Sequence, residues 1–302
     1  MADRRHLAHW RNDFLESHGL PVAYLEQAAR WFEPIAAALA MHCSGANRPL
    51  LVGINGAQGS GKTTLSAYLC EWLVREKGLR ALSLSIDDVY RTRAERQQLA
   101  RDVHPLLVTR GVPGTHDIPL LLQTLDALGS APGTLPVAVP RFDKARDDRA
   151  PATHWPRVQP PLDVILLEGW CLGAGPQAPE ALVAPCNALE RDEDSEGRWR
   201  DYVNRQLGAD YASLHARVDT WLMLQAPSFD EVLRWRSEQE DKLRARQSGA
   251  GVMDAAALGR FVQHYERLTR HCLETLPARM DLVWSLDRQR QITHWRGPLV
   301  PA

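Results

Sequence analysis

The stretch Gly53-Ile-Asn-Gly56-Ala-Gln-Gly59-Ser-Gly61-Lys62-Thr63-Thr64-Leu65 constrains this chain more than any other. An apolar run, Pro49–Val52, leads into it and an amphipathic run follows. A backbone gives up that many side chains where it must approach something closely. Gly56 to Thr63 fits G-x-x-x-x-G-K-[ST] over its whole length. Glycines at this spacing let a loop curl so that its N–H groups converge on phosphate oxygens. A helix starting near Lys62 points its positive end at the same place. In this pattern the lysine reaches the β- and γ-phosphates and the following hydroxyl ligates Mg²⁺. Gly56, Gln58, Gly59, Ser60, Gly61, Lys62, Thr63 and Thr64 are therefore the candidate nucleotide-binding residues, with Lys62 also a candidate catalytic group. ATP and Mg²⁺ are the expected cofactors. No G-x-G-x-x-G register exists here, which argues against a dinucleotide site.

Around this loop, short apolar strands alternate with helical stretches. Leu50–Asn55, Ala81–Ile86, Val137–Phe142, Leu162–Leu167, Val218–Leu224 and Asp281–Leu286 read as strands. Lys62–Lys77, Ile118–Leu128, Phe229–Arg246 and Ala255–Leu276 read as helices, with Gly78 a natural stop for the first. This β-α-β alternation predicts an α/β fold with a mostly parallel sheet and helices on both faces. Residues 1–47 read as helices broken off by Ser44–Asn47. We expect a helical N-terminal extension over 1–47 and a nucleotide-binding domain over 48–302. Gly173–Asp201, with three prolines and an acidic run, reads as a surface excursion and the least orderly stretch.

In such sheets ligands lie beyond the carboxyl ends of the strands, and acids sit there. Ser85-Ile-Asp87-Asp88 puts two carboxylates at one strand end, and Leu167-Glu168-Gly169 puts one at another. Adjacent residues of a strand face opposite ways, so one acid of the pair can take a proton and the other can hold Mg²⁺ through water. Asp88, Glu168 and Thr63 are the candidate metal-organising residues. A plain turn acid ending a strand is the blander reading of each carboxylate. The phosphate loop alone does not separate a kinase from a switch or a motor; a proton acceptor beside it does.

Arg110-Gly-Val-Pro-Gly-Thr-His116-Asp117 is a second glycine-containing loop, and Arg141-Phe-Asp-Lys144 follows a strand. Arginine suits bidentate capture of a carboxylate, so Arg110, His116, Arg141 and Lys144 suggest a small anionic acceptor. Asp117 also fits an N-cap. Arg234–Arg244 is a charged helix with i,i+4 pairs Arg234–Glu238, Arg236–Glu240 and Glu240–Arg244. It reads either as a solvated face or as a lid that folds Arg236 onto the phosphoryl group, and Arg236 is carried forward as a candidate catalytic residue.

The set G-I-N-G-x-Q-G-S-G-K-T-T, S-I-D-D-V-Y-R-T, R-G-V-P-G-T-H-D, P-R-F-D-K, E-G-W-C-L-G and W-R-x-E-Q-E resembles the D-glycerate 3-kinase family. These are the P-loop glycerate kinases of plants and cyanobacteria, within the group of phosphoribulokinase, uridine kinase and pantothenate kinase. The resemblance runs from about Leu50 to about Thr269 and leaves out the N-terminal extension. It implies a P-loop fold and ATP- and Mg²⁺-dependent phosphorylation of D-glycerate to 3-phosphoglycerate. It places the base on Asp87, the acceptor-site tyrosine on Tyr90 and the Walker B acid on Glu168. Two departures touch the acceptor region: the Lys144–Asp148 interval is short, and Val89 stands where the group has Phe. Another acceptor (a nucleoside, pantothenate or another sugar acid) is one alternative, and a non-catalytic ATP-binding regulator is another.

Composition sets outer bounds. The formal charge is −1, so bulk electrostatics suggest no nucleic-acid partner. Only four lysines occur among 36 basic residues, so Lys62 and Lys144 stand out. No apolar run reaches the roughly 18 residues of a membrane span, and no apolar leader core is evident. Five cysteines without a C-x-x-C pair suggest reduced thiols and a cytoplasmic setting. The oligomeric state is left open.

Overall fold

In the computed structural model, residues 3–43, 48–246 and 255–300 are described, the side chains of 3–8, 239, 240, 242–246 and 255 aside. The Ser44–Asn47 breaker lies outside the described residues. Helices α1 (Asp3–His18), α2 (Ala23–Trp31) and α3 (Glu33–His42) come first. Strand β1 (Leu50–Gly56), helix α4 (Lys62–Lys77) and strand β2 (Ala81–Ser85) follow, then α5 (Arg93–Asp102) and α6 (Ile118–Leu128). Four two-residue strands come next: β3 (Val137–Ala138), β4 (Phe142–Asp143), β5 (Asp148–Arg149) and β6 (Arg157–Val158). The rest is β7 (Val164–Gly169), α7 (Ala188–Glu193), α8 (Arg198–Gly208), α9 (Asp210–His215), β8 (Thr220–Gln225), α10 (Phe229–Arg246), α11 (Ala255–Thr275), β9 (Leu282–Leu286) and β10 (Ile292–Arg296).

The six long strands form one sheet in the order β10-β9-β8-β1-β7-β2. Pairing is parallel except between β9 and β10. β1 and β7 are buried at every residue, as strands covered on both faces must be. Their register sets Ile54 beside Glu168, and Glu168 beside Ser85. The end of β1, the acid of β7 and the acids after β2 therefore share one edge of the sheet.

One face of the sheet packs Val52, Ile54, Leu166 and Leu222 against α4 and the N-terminal helices, through Trp10, Phe14, Phe32, Ile35 and Leu39. The other packs Leu51, Ile165, Leu167 and Val283 under α6, α9 and α11. Polar contacts tie the N-terminal helices down further: Trp10 Nε1 donates to Glu76 at 3.0 Å, and Trp284 Nε1 donates to the Trp31 carbonyl at 3.1 Å. No helix among the described residues is long and apolar enough to cross a membrane.

Two expectations are corrected. Val137–Phe142 is not one strand; Pro140, which has no N–H to give a ladder, divides it into β3 and β4 of two separate two-stranded ribbons. Gly173–Asp201 is not loose: Leu182, Leu189 and Trp199 are buried, and Arg200 and Arg267 pair with the buried acids Asp194 and Glu190 at 2.9 and 2.6 Å. Strand β10 escapes the sequence reading, as does α5 with its Thr92/Glu95 capping box.

Candidate active site

The phosphate loop turns between β1 and α4 with Gly59 at φ 78° and Gly61 at φ 92°. L side chains rarely adopt that backbone, so glycine is required there. A Cβ on Gly59 would also stand 2.9 Å from the Cβ of Trp235. The fully buried Trp235 of α10 thus packs directly beneath the loop.

At the start of α4, the Thr63 hydroxyl donates to Glu168 Oε1 at 2.9 Å, and Lys62 Nζ lies 3.7 Å from Glu168 Oε2. Glu168 is almost fully buried, and its Oε2 accepts no hydrogen bond. A buried carboxylate oxygen facing a lysine and a threonine hydroxyl is a donor set that fits a hard divalent cation and phosphate oxygens.

Asp87 lies across from this pair in the 3₁₀ turn Ile86–Val89. Its Oδ1 accepts from the Tyr90 hydroxyl at 2.7 Å and its Oδ2 from Lys144 Nζ at 2.9 Å. Burial acts to raise its pKa. Lys144, Lys62 and the Tyr90 hydrogen bond outweigh burial and hold the carboxyl at about 2. Asp88 points elsewhere, to Arg141 Nη1 at 2.8 Å and the Phe142 amide at 3.5 Å. Its pKa moves up through burial, against the pull of Arg141. The two neighbouring acids are therefore divided as their positions suggest, but Asp88 joins Arg141 and not Thr63. Among the described residues, no group of three or more His, Cys, Asp or Glu side chains could hold a metal ion.

The acceptor-side candidates gather around Tyr90. His116 is buried and stacks on Tyr90 at 4.5 Å, and Phe142 meets Tyr90 edge-on at 5.1 Å. Burial lowers the His116 pKa to about 4, so its ring is neutral at ordinary pH. Its Nδ1 pairs with the Tyr211 hydroxyl, and its Nε2 is buried without a partner. Arg110 lies over the Phe142 ring at 5.4 Å and pairs with Asp147. Arg149 closes the segment by bonding the Tyr90 carbonyl at 3.0 Å and Asp117 at 2.9 Å. Asp117 caps α6 as expected.

On α10, Arg234 pairs with Glu238 at 3.7 Å. The pairs through Glu240 and Arg244 lie outside the described side chains. Arg236 sits 5.7 Å from the centre of the Phe261 ring.

Two site residues give no sequence signal. The Tyr265 hydroxyl of α11 donates to the Arg110 carbonyl at 2.9 Å, so it ties α11 to the acceptor loop. Arg290, in the turn between β9 and β10 with φ 66°, donates from Nε to the Gly59 carbonyl at 3.0 Å and from Nη2 to Glu238 at 2.5 Å. Both join elements far apart in the chain, which local patterns cannot reveal.

No protein-family model matches the chain. Among curated proteins, D-glycerate 3-kinase, chloroplastic, of Arabidopsis thaliana is 34% identical over 238 residues, covering 76% of this chain and 49% of that protein. The chain thus spans about half the length of that relative. The uncharacterized kinase mug58 of Schizosaccharomyces pombe is 33% identical over 256 residues, covering 76% of this chain and 88% of that protein. Among solved structures, D-glycerate 3-kinase from Cryptococcus neoformans matches with a TM-score of 0.68 at 26% identity, over 91% of this chain and 99% of that one.

Proposed function

The chain belongs to the P-loop kinase family of these relatives, and we propose that it transfers the γ-phosphoryl group of ATP to a hydroxyl of D-glycerate, giving 3-phosphoglycerate. One observation carries this reading: Asp87 lies under the charge of both Lys62 and Lys144 while holding Tyr90. A carboxylate between the phosphate-loop lysine and a cationic segment is placed to receive the proton of an attacking hydroxyl.

Lys62 and the loop amides hold the β- and γ-phosphates. Thr63 and Glu168 would hold Mg²⁺, which supplies charge neutralisation on the phosphates. The acceptor O–H gives its proton to Asp87 as the oxygen bonds the γ-phosphorus, and the bond from that phosphorus to the bridging oxygen of ADP breaks. Tyr90, kept in place by the His116 stack, orients Asp87. Arg110, Arg141 and Lys144 are each paired with an acid here. They exchange such a partner for the substrate carboxylate, which recruits an anionic acceptor. Arg236, beside the Phe261 ring on the anchored part of α10, adds a fixed positive charge toward the phosphoryl group.

The test is ADP release by the full chain with D-glycerate, L-glycerate, uridine and pantothenate, with the product identified by NMR. We expect D-glycerate to be consumed and 3-phosphoglycerate to form. Turnover of uridine or pantothenate without D-glycerate would overturn the acceptor.

A further inference from the structure

The acceptor region ends on a tight hairpin, and its tip holds an arrangement that the phosphoryl transfer does not use. Strands β4 and β5 are joined by residues 144–147. Asp143 Oδ1 accepts from the Ala145 and Arg146 amides at 3.0 and 3.1 Å, which folds the chain back at once. Asp147 completes the return at φ 53°, in the left-handed region that few residues other than glycine enter. Its carbonyl and its carboxylate both meet Arg96 of α5.

Arg96 is buried, and its guanidinium is fully engaged. Nε donates to the Arg91 carbonyl at 3.3 Å, Nη1 to the Val108 carbonyl at 2.6 Å and Nη2 to the Asp147 carbonyl at 2.6 Å. Asp147 Oδ2 lies 3.0 Å from the same Nη2 and belongs to the one acid paired with Arg96 among the described residues. The other carboxylate oxygen, Oδ1, pairs with Nη1 of Arg110 in the acceptor loop. Both guanidiniums lie over Phe142, at 5.9 and 5.4 Å from the ring centre. Phe142 meets Tyr90, which holds Asp87. One carboxylate is thus gripped by two arginines on the acceptor side of the base, as a bound carboxylate would be.

The three cation–acid pairs of this region differ in what an exchange leaves behind. If Arg141 turns to a substrate, Asp88 loses its ion-pair partner. If Lys144 turns, Asp87 loses one of the two lysines that hold its charge. Asp147 gives up Arg110 and keeps Arg96, so no carboxylate is stranded. We infer that Asp147 is an internal stand-in for the carboxylate of the acceptor. Arg110 holds it until an anionic acceptor replaces it, and Arg96 keeps it against the wall of the site meanwhile. Asp147 is then a specificity-determining residue, because a neutral acceptor brings no charge to take Arg110 from it. This rests on the anionic acceptor of the proposed function and adds the residue that selects for it.

Steady-state kinetics of the full chain with D-glycerate test it. Asp147→Asn keeps the size and the carbonyl that Arg96 uses, but removes the charge that competes for Arg110. Asparagine tolerates the left-handed backbone as aspartate does, so the hairpin keeps its shape. KM for D-glycerate is expected to fall about two- to five-fold, the worth of one partly exposed ion pair, with kcat and the KM for ATP unchanged. The Tm should fall at the same time, because buried Arg96 loses its counter-charge. An acid with a structural role alone would lower the Tm and raise KM. The gain must depend on Arg110, so Arg110→Met and the double variant Arg110→Met with Asp147→Asn are expected to share one KM. Glycerol, which has the three carbons but no carboxylate, is expected to inhibit the unmodified chain and Asp147→Asn equally. An unchanged or raised KM in Asp147→Asn overturns the inference. So does a gain that survives the loss of Arg110 or that glycerol shares. An unmodified chain that does not phosphorylate D-glycerate overturns the acceptor reading and this inference together. One that does, with no gain in Asp147→Asn, overturns the inference alone.

Discussion

At the scale of single residues, the centre of the site is Asp87. Its role as base and its use as an electrostatic partner make different demands. A carboxyl held at about 2 is ionised at every working pH but is a weak proton acceptor. It becomes a better one once Lys144 turns to the substrate, because the largest of the influences that lower its pKa is then removed. Two measurements follow. Asp87→Asn keeps the shape but cannot take a proton, so kcat is expected to fall on the order of 10²-fold or more with ATP affinity retained. Unchanged turnover would remove Asp87 as the base. Lys144→Met leaves burial less opposed, so the Asp87 pKa rises from about 2 toward or past the ordinary value of about 3.9. An acid limb should then appear in the kcat/KM profile between about pH 4 and 5, where the unmodified enzyme shows none. A profile that stays flat over that range counts against the pairing. The sequence showed both side chains as polar residues after strands. Their contact spans 57 positions, and nothing local encodes it.

At the scale of elements, α10 answers a question that its sequence left double. Its polar side shows the solvated pair Arg234–Glu238, as the bland reading held. Its other side buries Trp235, whose Nε1 donates to the Arg288 carbonyl at 3.0 Å, against the phosphate loop. The first turns of this helix are therefore an anchor. The Trp235–Gly59 contact couples helix to loop through a position with no room for a side chain. Gly59→Ala adds a Cβ into that contact at a left-handed φ, a conformation costing about 1–2 kcal/mol. ATP and tripolyphosphate affinities should fall together, by roughly five- to thirty-fold, with the circular dichroism spectrum unchanged. Loss of ATP binding alone would show that Gly59 serves the base site and not the phosphates. The pattern of charges along α10 was legible, but the fit of one indole under one glycine depends on three-dimensional packing.

At the scale of the whole molecule, the parallel α/β plan was legible because buried strands must read as apolar runs, while strand order was not, because it depends on which loops cross which face. The ordered 173–201 segment reads as loose for a related reason: one of its buried acids, Glu190, finds its arginine far along the chain, at Arg267 in α11. Closing so much chain over the sheet also buries histidines that must stay neutral. Burial lowers both His116 and His215 to about 4, helped at His215 by Arg279, and burial lowers His264 and His271 as well. The His215 Nε2 accepts from the Gly173 amide at 3.0 Å and cannot do so when protonated. An unfolded histidine takes up its proton near pH 6.5. Between about 6.5 and 4 the unfolded chain therefore binds more protons than the folded one, so stability falls as pH falls through that window. At about 1.36 kcal/mol per pH unit, His116 and His215 each account for roughly 2–3 kcal/mol. Asp87 acts lower, since it keeps its charge down to about 2. Calorimetry from pH 7.5 to 4 should show the Tm falling before Asp87 begins to protonate. His215→Gln, whose amide oxygen can take over the Gly173 bond without titrating, should flatten part of that fall. A Tm that holds steady from pH 7 to 5 would mean that these rings are not buried in their neutral form.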